Sequence, residues 1–167
     1  VRFVVTLGAL LADVPHSRPV HITGTAADQK LVERLGLQRS GYEGPTGIVG
    51  VLHDSFGRAG IESASLWATV PHYLAVSPNP KAAKALVEKA ADLIGIPAST
   101  IELEHAAATY EQRVSDLVAT DEDVQAYVQL LEERVDDDSG DQIDPSDLPS
   151  GDALAAELEK FLRERDT

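Results

Sequence analysis

Two copies of one tripeptide carry the clearest chemical potential in this sequence: Val14-Pro15-His16 and Val70-Pro71-His72, each directly downstream of an apolar segment that reads as a strand. An imidazole can donate or accept a proton near neutrality, and a proline ends a strand, so both histidines fall on loops at strand ends. In open parallel sheets ligands lie beyond the carboxyl ends of the strands. His16, Arg18, His72 and Tyr73 would then line one crevice, supplying a proton donor, a fixed cation and an aromatic wall. The same pattern also fits prolines that merely stop strands and histidines that satisfy loop carbonyls or a subunit contact, because no carboxylate partner for either imidazole is evident from spacing.

A second candidate is Gly44-Pro45-Thr46-Gly47-Ile48-Val49-Gly50, where Gly44 and Gly47 precede a helix and leave backbone N–H groups able to hold an anion. It lacks the G-x-G-x-x-G of dinucleotide folds and the Lys-Ser/Thr of a phosphate loop. Gly47 and Gly50 equally allow the helix to lie close to a sheet or to another subunit. His53 and Asp54 fall inside that helix, and His105 lies between Glu104 and Ala106 without a second ligand at helical spacing, so no metal site is read. Glu111 and Asp116 read as solvated helix positions, and no G-x-S-x-G elbow is present. Neither a cofactor nor a metal is expected.

The elements that must position these residues follow from hydrophobic period. Val1–Leu7 reads as a buried strand and not as a signal peptide, and Val20–Thr25 as a second short strand. Ala26–Leu35 has helical spacing with Thr25 as N-cap, and Gly36 closes it. Thr46 is expected to cap a helix from Ile48 to Gly57 or Gly60, and Ser63–Val70 to form a third strand ended by Pro71. Asn79 with Pro80 opens a helix whose stripe is Ala82, Leu86, Ala90, Leu93 and Ile94. This order fits an α/β fold with a largely parallel sheet. From Ile101 the spacing is helical only, through Leu103, Ala107, Tyr110, Val114 and Leu117, then Val124, Tyr127, Val128, Leu131 and Val135, with Thr120 as the second cap. An αα-hairpin results.

Charge divides the 167-residue chain unevenly. The net charge is -14, and residues 121–167 hold 16 acids against 4 bases, leaving 12 and 10 for residues 1–120. Such a balance disfavours phosphate backbones and anionic lipid surfaces, so neither nucleic acid nor membrane is expected as a partner. No apolar run approaches the roughly 20 residues that span a bilayer. Cysteine is absent, which removes disulfides and thiolate chemistry and suits a cytoplasmic setting. The expected organisation is an α/β portion over 1–98, a helical hairpin over 99–135, an acidic linker over 136–150 and a short terminal helix over 151–167 carrying Leu154, Leu158, Phe161 and Leu162.

Taken together, Leu7-Gly8-Ala9, Val14 to Val20, Gly44 to Gly50 and Trp67-Ala68-Thr69-Val70-Pro71-His72-Tyr73-Leu74-Ala75 resemble the actinobacterial branch of the proteasome assembly chaperone family. The resemblance implies a three-layer α/β/α sandwich similar to nucleoside phosphorylases and related hydrolases. It also implies that this chain is the C-terminal half of a longer protein, that it assembles as a homotrimer, and that proteasome subunits are possible protein partners. The function it implies is non-catalytic, ATP-independent protein binding of the assembly-chaperone type. The alternative is an enzyme or anion-binding protein on a phosphorylase-like scaffold, of the kind labelled carboxylate–amine ligase, working at His16, Arg18 and His72.

Overall fold

The computed structural model describes residues 1–26, 28–39, 47–73 and 76–140. In chain order the elements are β1 (Phe3–Ala12), β2 (Ile22–Ala26), α1 (Gln29–Leu35), β3 (Gln38–Arg39), α2 (Ile48–Arg58), β4 (Glu62–Pro71), α3 (Pro80–Ile94), α4 (Ile101–Val118) and α5 (Glu122–Gly140). Val1–Glu133 forms one compact unit, which holds the sheet and most of the hairpin, and Arg134–Thr167 a second. The predicted terminal helix and most of the predicted linker lie outside the described residues.

The sheet order is β1-β4-β2-β3. β1 and β4 pair in parallel over ten residues, from Phe3 opposite Glu62 to Ala12 opposite Pro71. β2 runs antiparallel to β4, with Ile22 opposite Ala68 and Ala26 opposite Ala64. The sheet is therefore mixed, where apolar pattern alone gave a largely parallel one. Strand direction depends on how the chain returns, and residues 13–21 turn back over the end of β4 without a crossover helix. Two residues of β3, parallel to β2, make a fourth strand too short to leave a periodic signal.

Alternation along β4 splits its side chains between two faces. Ala64, Leu66 and Ala68 are fully buried on one face. There Leu66 and Ala68 pack with Ala82 and Leu86 of α3, while Ala64 packs with Ala26 and with Leu31 of α1. Ser63 and Ser65 point the other way, toward His53 of α2, and Trp67 shares their face. Burying a leucine of this kind is worth about 2 kcal/mol before packing effects are added. On the second face Gly8 lies under the Trp67 indole, and a Cβ there would stand 2.6 Å from Cζ3.

Helix ends obey capping chemistry, with two shifts from expectation. Asp28, not Thr25, caps α1: its Oδ1 accepts the Leu31 N–H at 3.0 Å, so the helix starts at Gln29 and Ala26 stays in β2. Asp121, not Thr120, caps α5, accepting the N–H groups of Asp123 and Val124, while the Thr120 hydroxyl donates back to the Leu117 carbonyl. In both cases a carboxylate a residue or more nearer the helix outcompetes the threonine. Gly47 is the N-cap of α2, and Thr46 lies outside the described residues. Asn79 caps α3 as expected, with Pro80 at its first position and Gly95 in the left-handed conformation at its end. α4 and α5 form the hairpin, whose own core is Tyr110, Val114, Val118 and Val128, joined by Tyr73 and Val76.

Candidate functional site

Because β1 and β4 are parallel and in register, both exits fall at the same end of the sheet. Loop 13–21 starts at one exit and crosses over the other before β2 descends. This crossing brings His16 against Tyr73, 57 residues away. The hairpin closes over both.

His16 is 6% exposed and every polar atom of it is engaged. Its backbone N–H donates to the Tyr73 hydroxyl at 2.8 Å, and its Nδ1 lies 2.9 Å from the same oxygen. Its Nε2 lies 3.0 Å from Ser115 Oγ on α4, and that hydroxyl donates to the Glu111 carbonyl at 2.9 Å. Proton counting then orders the chain. Ser115 has spent its hydrogen, so Nε2–H must donate to it; Nδ1 is left as the acceptor of the Tyr73 O–H. The His16 carbonyl accepts from Lys81 Nζ at 2.5 Å, and the same ammonium pairs with Glu111 Oε2 at 2.5 Å. Ser17 donates its hydroxyl to Glu132 of α5, and Arg18 lies 3.8 Å from that carboxylate.

Burial lowers the His16 pKa, opposed by Glu111 and Glu132 and reinforced by Lys81, which keeps the ring neutral as the bonding pattern requires. Burial likewise pushes Tyr73 up to about 12, so its hydroxyl keeps the proton it donates. His72 is exposed at the other exit. Its Nδ1 faces two acceptors, Asp13 Oδ1 at 3.2 Å and the Ala12 carbonyl at 3.3 Å, and so carries the hydrogen. The rings of His72, Tyr73 and Tyr127 meet edge to face, with centroids 5.7–6.0 Å apart. At that spacing the rings touch each other and leave no space for a ligand among them.

Of the predicted site residues, the structure thus gathers His16, Arg18, His72 and Tyr73 at one end of the sheet. Gly47 stands apart as the exposed cap of α2, its carbonyl taking the N–H groups of Gly50 and Val51, and Gly44 lies outside the described residues. The crevice expected beyond the strands is largely filled by the hairpin: a void of about 20 Å³ remains between His16, Arg18, Lys81 and Tyr110, enough for about one water. A more open groove of about 420 Å³ runs between α3 and α4, lined by Lys81, Lys84, Glu104, Glu111 and Gln112.

Sequence reasoning missed Asp13, Lys81, Ser115, Tyr127 and Glu132 as members of this end, and Glu111, expected in solvent, bonds Lys81. Their partners lie up to 115 residues away, beyond any local spacing rule. It also missed a hydroxyl cluster on the far face of the sheet. There His53 Nε2 sits 2.8 Å from Ser65 Oγ and 3.0 Å from Thr6 Oγ1, and Nδ1 2.7 Å from Ser63 Oγ. The alternation of Ser63 and Ser65 in β4 is the signal in the sequence that could have found it; that Thr6 of β1 stands opposite Ser65 comes from the strand register. This cluster ties α2 to the sheet beside half-buried Val49 and Phe56, in a helix none of whose residues is fully buried.

A mixed sheet with helices, parallel strand exits and a hairpin laid over them defines an α/β protein whose sheet-end crevice is occupied by its own chain. The model of the PAC2 family matches residues 1–118, and the chain belongs to that family. Among solved structures it is similar to a PAC2 family protein from Streptomyces avermitilis, with 44% identity and a TM-score of 0.68 over 77% of this chain and 54% of the other. It is also similar to a Mycobacterium tuberculosis proteasome-assembly chaperone homologue, 41% identical with a TM-score of 0.64 over 75% and 53%. A third, a Mycobacterium tuberculosis protein of unknown function, is 28% identical with a TM-score of 0.73 over 85% and 48%. The chain spans about half the length of these relatives. No curated protein matches it.

Proposed function

We propose that this chain is part of a non-catalytic, ATP-independent protein-binding protein of the assembly-chaperone type, in the actinobacterial branch of its family. The observation that carries the reading is at the strand exits. His16, Tyr73, Ser115 and Lys81 spend their polar atoms on one another and on the hairpin, and the remaining void admits no substrate. An imidazole locked between two hydroxyls serves to fix elements, not to shuttle protons. Membership of the PAC2 family and likeness to a proteasome-assembly chaperone homologue support the same reading. Under it the scaffold is a three-layer α/β/α sandwich, with α1 and α3 on one face and α2 on the other. The protein is a cytoplasmic homotrimer whose partners are proteasome α-subunits. Among the described residues no helix is long and apolar enough to cross a membrane, which accords with that setting.

The test is capture of purified proteasome α-subunits by the chain, run beside light scattering for its mass in solution. Saturable capture together with a trimer mass supports the reading. Failure to capture any subunit, joined to a monomer mass, overturns it.

A further inference from the structure

We propose that α2 is a proton-sensitive latch on the sheet: a neutral His53 ring pins the helix to β1 and β4, and a protonated ring releases it. The proposal is independent of the protein-binding reading, since none of its residues lies at the strand exits.

α2 is held by less apolar packing than the other helices. Among the described residues it alone of the five helices has no fully buried side chain, whereas α1 buries Leu31, α3 Leu86, α4 Val114 and α5 Leu131. Its inward stripe is Val49, His53 and Phe56 at helical spacing, and each of them is half-buried. The titratable residue therefore stands in the middle of the contact. Phe56 meets its ring edge to face at 6.3 Å, while the apolar Ile48, Val51 and Leu52 of the same helix are exposed.

The hydrogens give the latch its direction. His53 Nε2 lies 2.8 Å from Ser65 Oγ and 3.0 Å from Thr6 Oγ1, and these two hydroxyls lie 2.8 Å from each other. With Nε2 as acceptor, Ser65 donates to the ring and Thr6 donates to Ser65, so both hydroxyl hydrogens are placed. Nδ1–H then donates to Ser63 Oγ at 2.7 Å. A proton on Nε2 turns that acceptor into a donor. Whichever hydroxyl receives it, one hydrogen of the Ser65–Thr6 pair loses its acceptor within the cluster, beside a Ser65 that is buried.

No anion offsets the new charge. The groups that β1 and β4 turn toward the ring are the neutral Thr6, Ser63 and Ser65; Glu62 lies on the opposite face, paired with Arg34 at 2.7 Å. On α2 itself Asp54 is exposed and paired with Arg58 at 2.8 Å. Burial accordingly holds the folded His53 below 6.5. A released helix carries an ordinary imidazole and binds more protons than a latched one. Opening is therefore least favoured above 6.5, grows as pH falls through 6.5 and levels off below the folded value.

The experiment follows amide hydrogen exchange of α2 and α3 in the full chain from about pH 7.5 to about pH 5, as protection factors that divide out the intrinsic rate. The NMR titration of the His53 Cε1–H signal runs beside it. Protection in α2 is expected to fall by up to about tenfold per pH unit below 6.5 until the ring is fully protonated, and by more than in α3. His53→Gln is expected to abolish that fall and His16→Gln to retain it. A fall that survives His53→Gln overturns the proposal, as does an equal fall in α3 or a ring that titrates at or above 6.5. Should His53→Gln fail to fold, wild type alone decides: α2 protection that stays constant across the measured titration of His53 overturns it.

Discussion

Replacing Tyr73 with Phe removes one oxygen and keeps the ring, so the edge-to-face contacts with His16, His72 and Tyr127 survive. That oxygen accepts the His16 backbone N–H and donates to His16 Nδ1. Its loss strands a buried donor and a buried acceptor on a residue that is 6% exposed. A buried polar group left without a partner costs about 1–3 kcal/mol. Two such groups, less the relief of not burying the phenol oxygen, give about 2–3 kcal/mol in all. Urea unfolding followed by circular dichroism measures it, with the slope against denaturant held unchanged. Because Ser115 acts on the other nitrogen of the same ring, Tyr73→Phe and Ser115→Ala are expected to be non-additive by about 0.5 kcal/mol or more in a double-mutant cycle. A Tyr73→Phe loss below about 0.5 kcal/mol, or strict additivity with Ser115→Ala, refutes the claim that one ordered proton chain ties the hairpin to the strand exits.

Acidification tests the same imidazole from the other side: His16 has a folded-state pKa below 6.5, so the unfolded chain binds more protons between the two values. Its contribution to stability is full above 6.5, falls as pH drops through 6.5 and levels off below the folded value. His53 is lowered in the same sense by burial, so the measurement is the difference in urea midpoint between wild type and His16→Gln across that range; a wild type that gains stability from His16 on acidification contradicts the assignment. Gly8→Ala drives a Cβ into the Trp67 ring and is expected to cost about 1–3 kcal/mol with a shift in tryptophan fluorescence; an unchanged midpoint and spectrum would show the indole to be free to move. Asn79→Ala removes the acceptor of the Ala82 N–H and is expected to cost about 1 kcal/mol in thermal or urea unfolding, whereas Asn79→Asp retains most of it.

What the residues in order determine here is local. Asn79-Pro80 and Gly95 delimit α3 because the cap acceptor, the fixed proline φ and the left-handed glycine act within a few residues of the bonds they satisfy. The helical hairpin is legible for the same reason, from apolar spacing over α4 and α5, and so is the placement of His16 and His72 just past strand ends. Tertiary structure alone decided the direction of β2, which depends on the loop over β4, and the choice of Asp28 and Asp121 over nearby threonines, which depends on where each helix begins. It also decided what the strand exits are for. The bonds that fill the crevice join His16 to Ser115 and Ser17 to Glu132, 99 and 115 residues apart, and no periodicity encodes such pairs. They form because buried donors must find acceptors once the hairpin core has brought α4 and α5 over the sheet end.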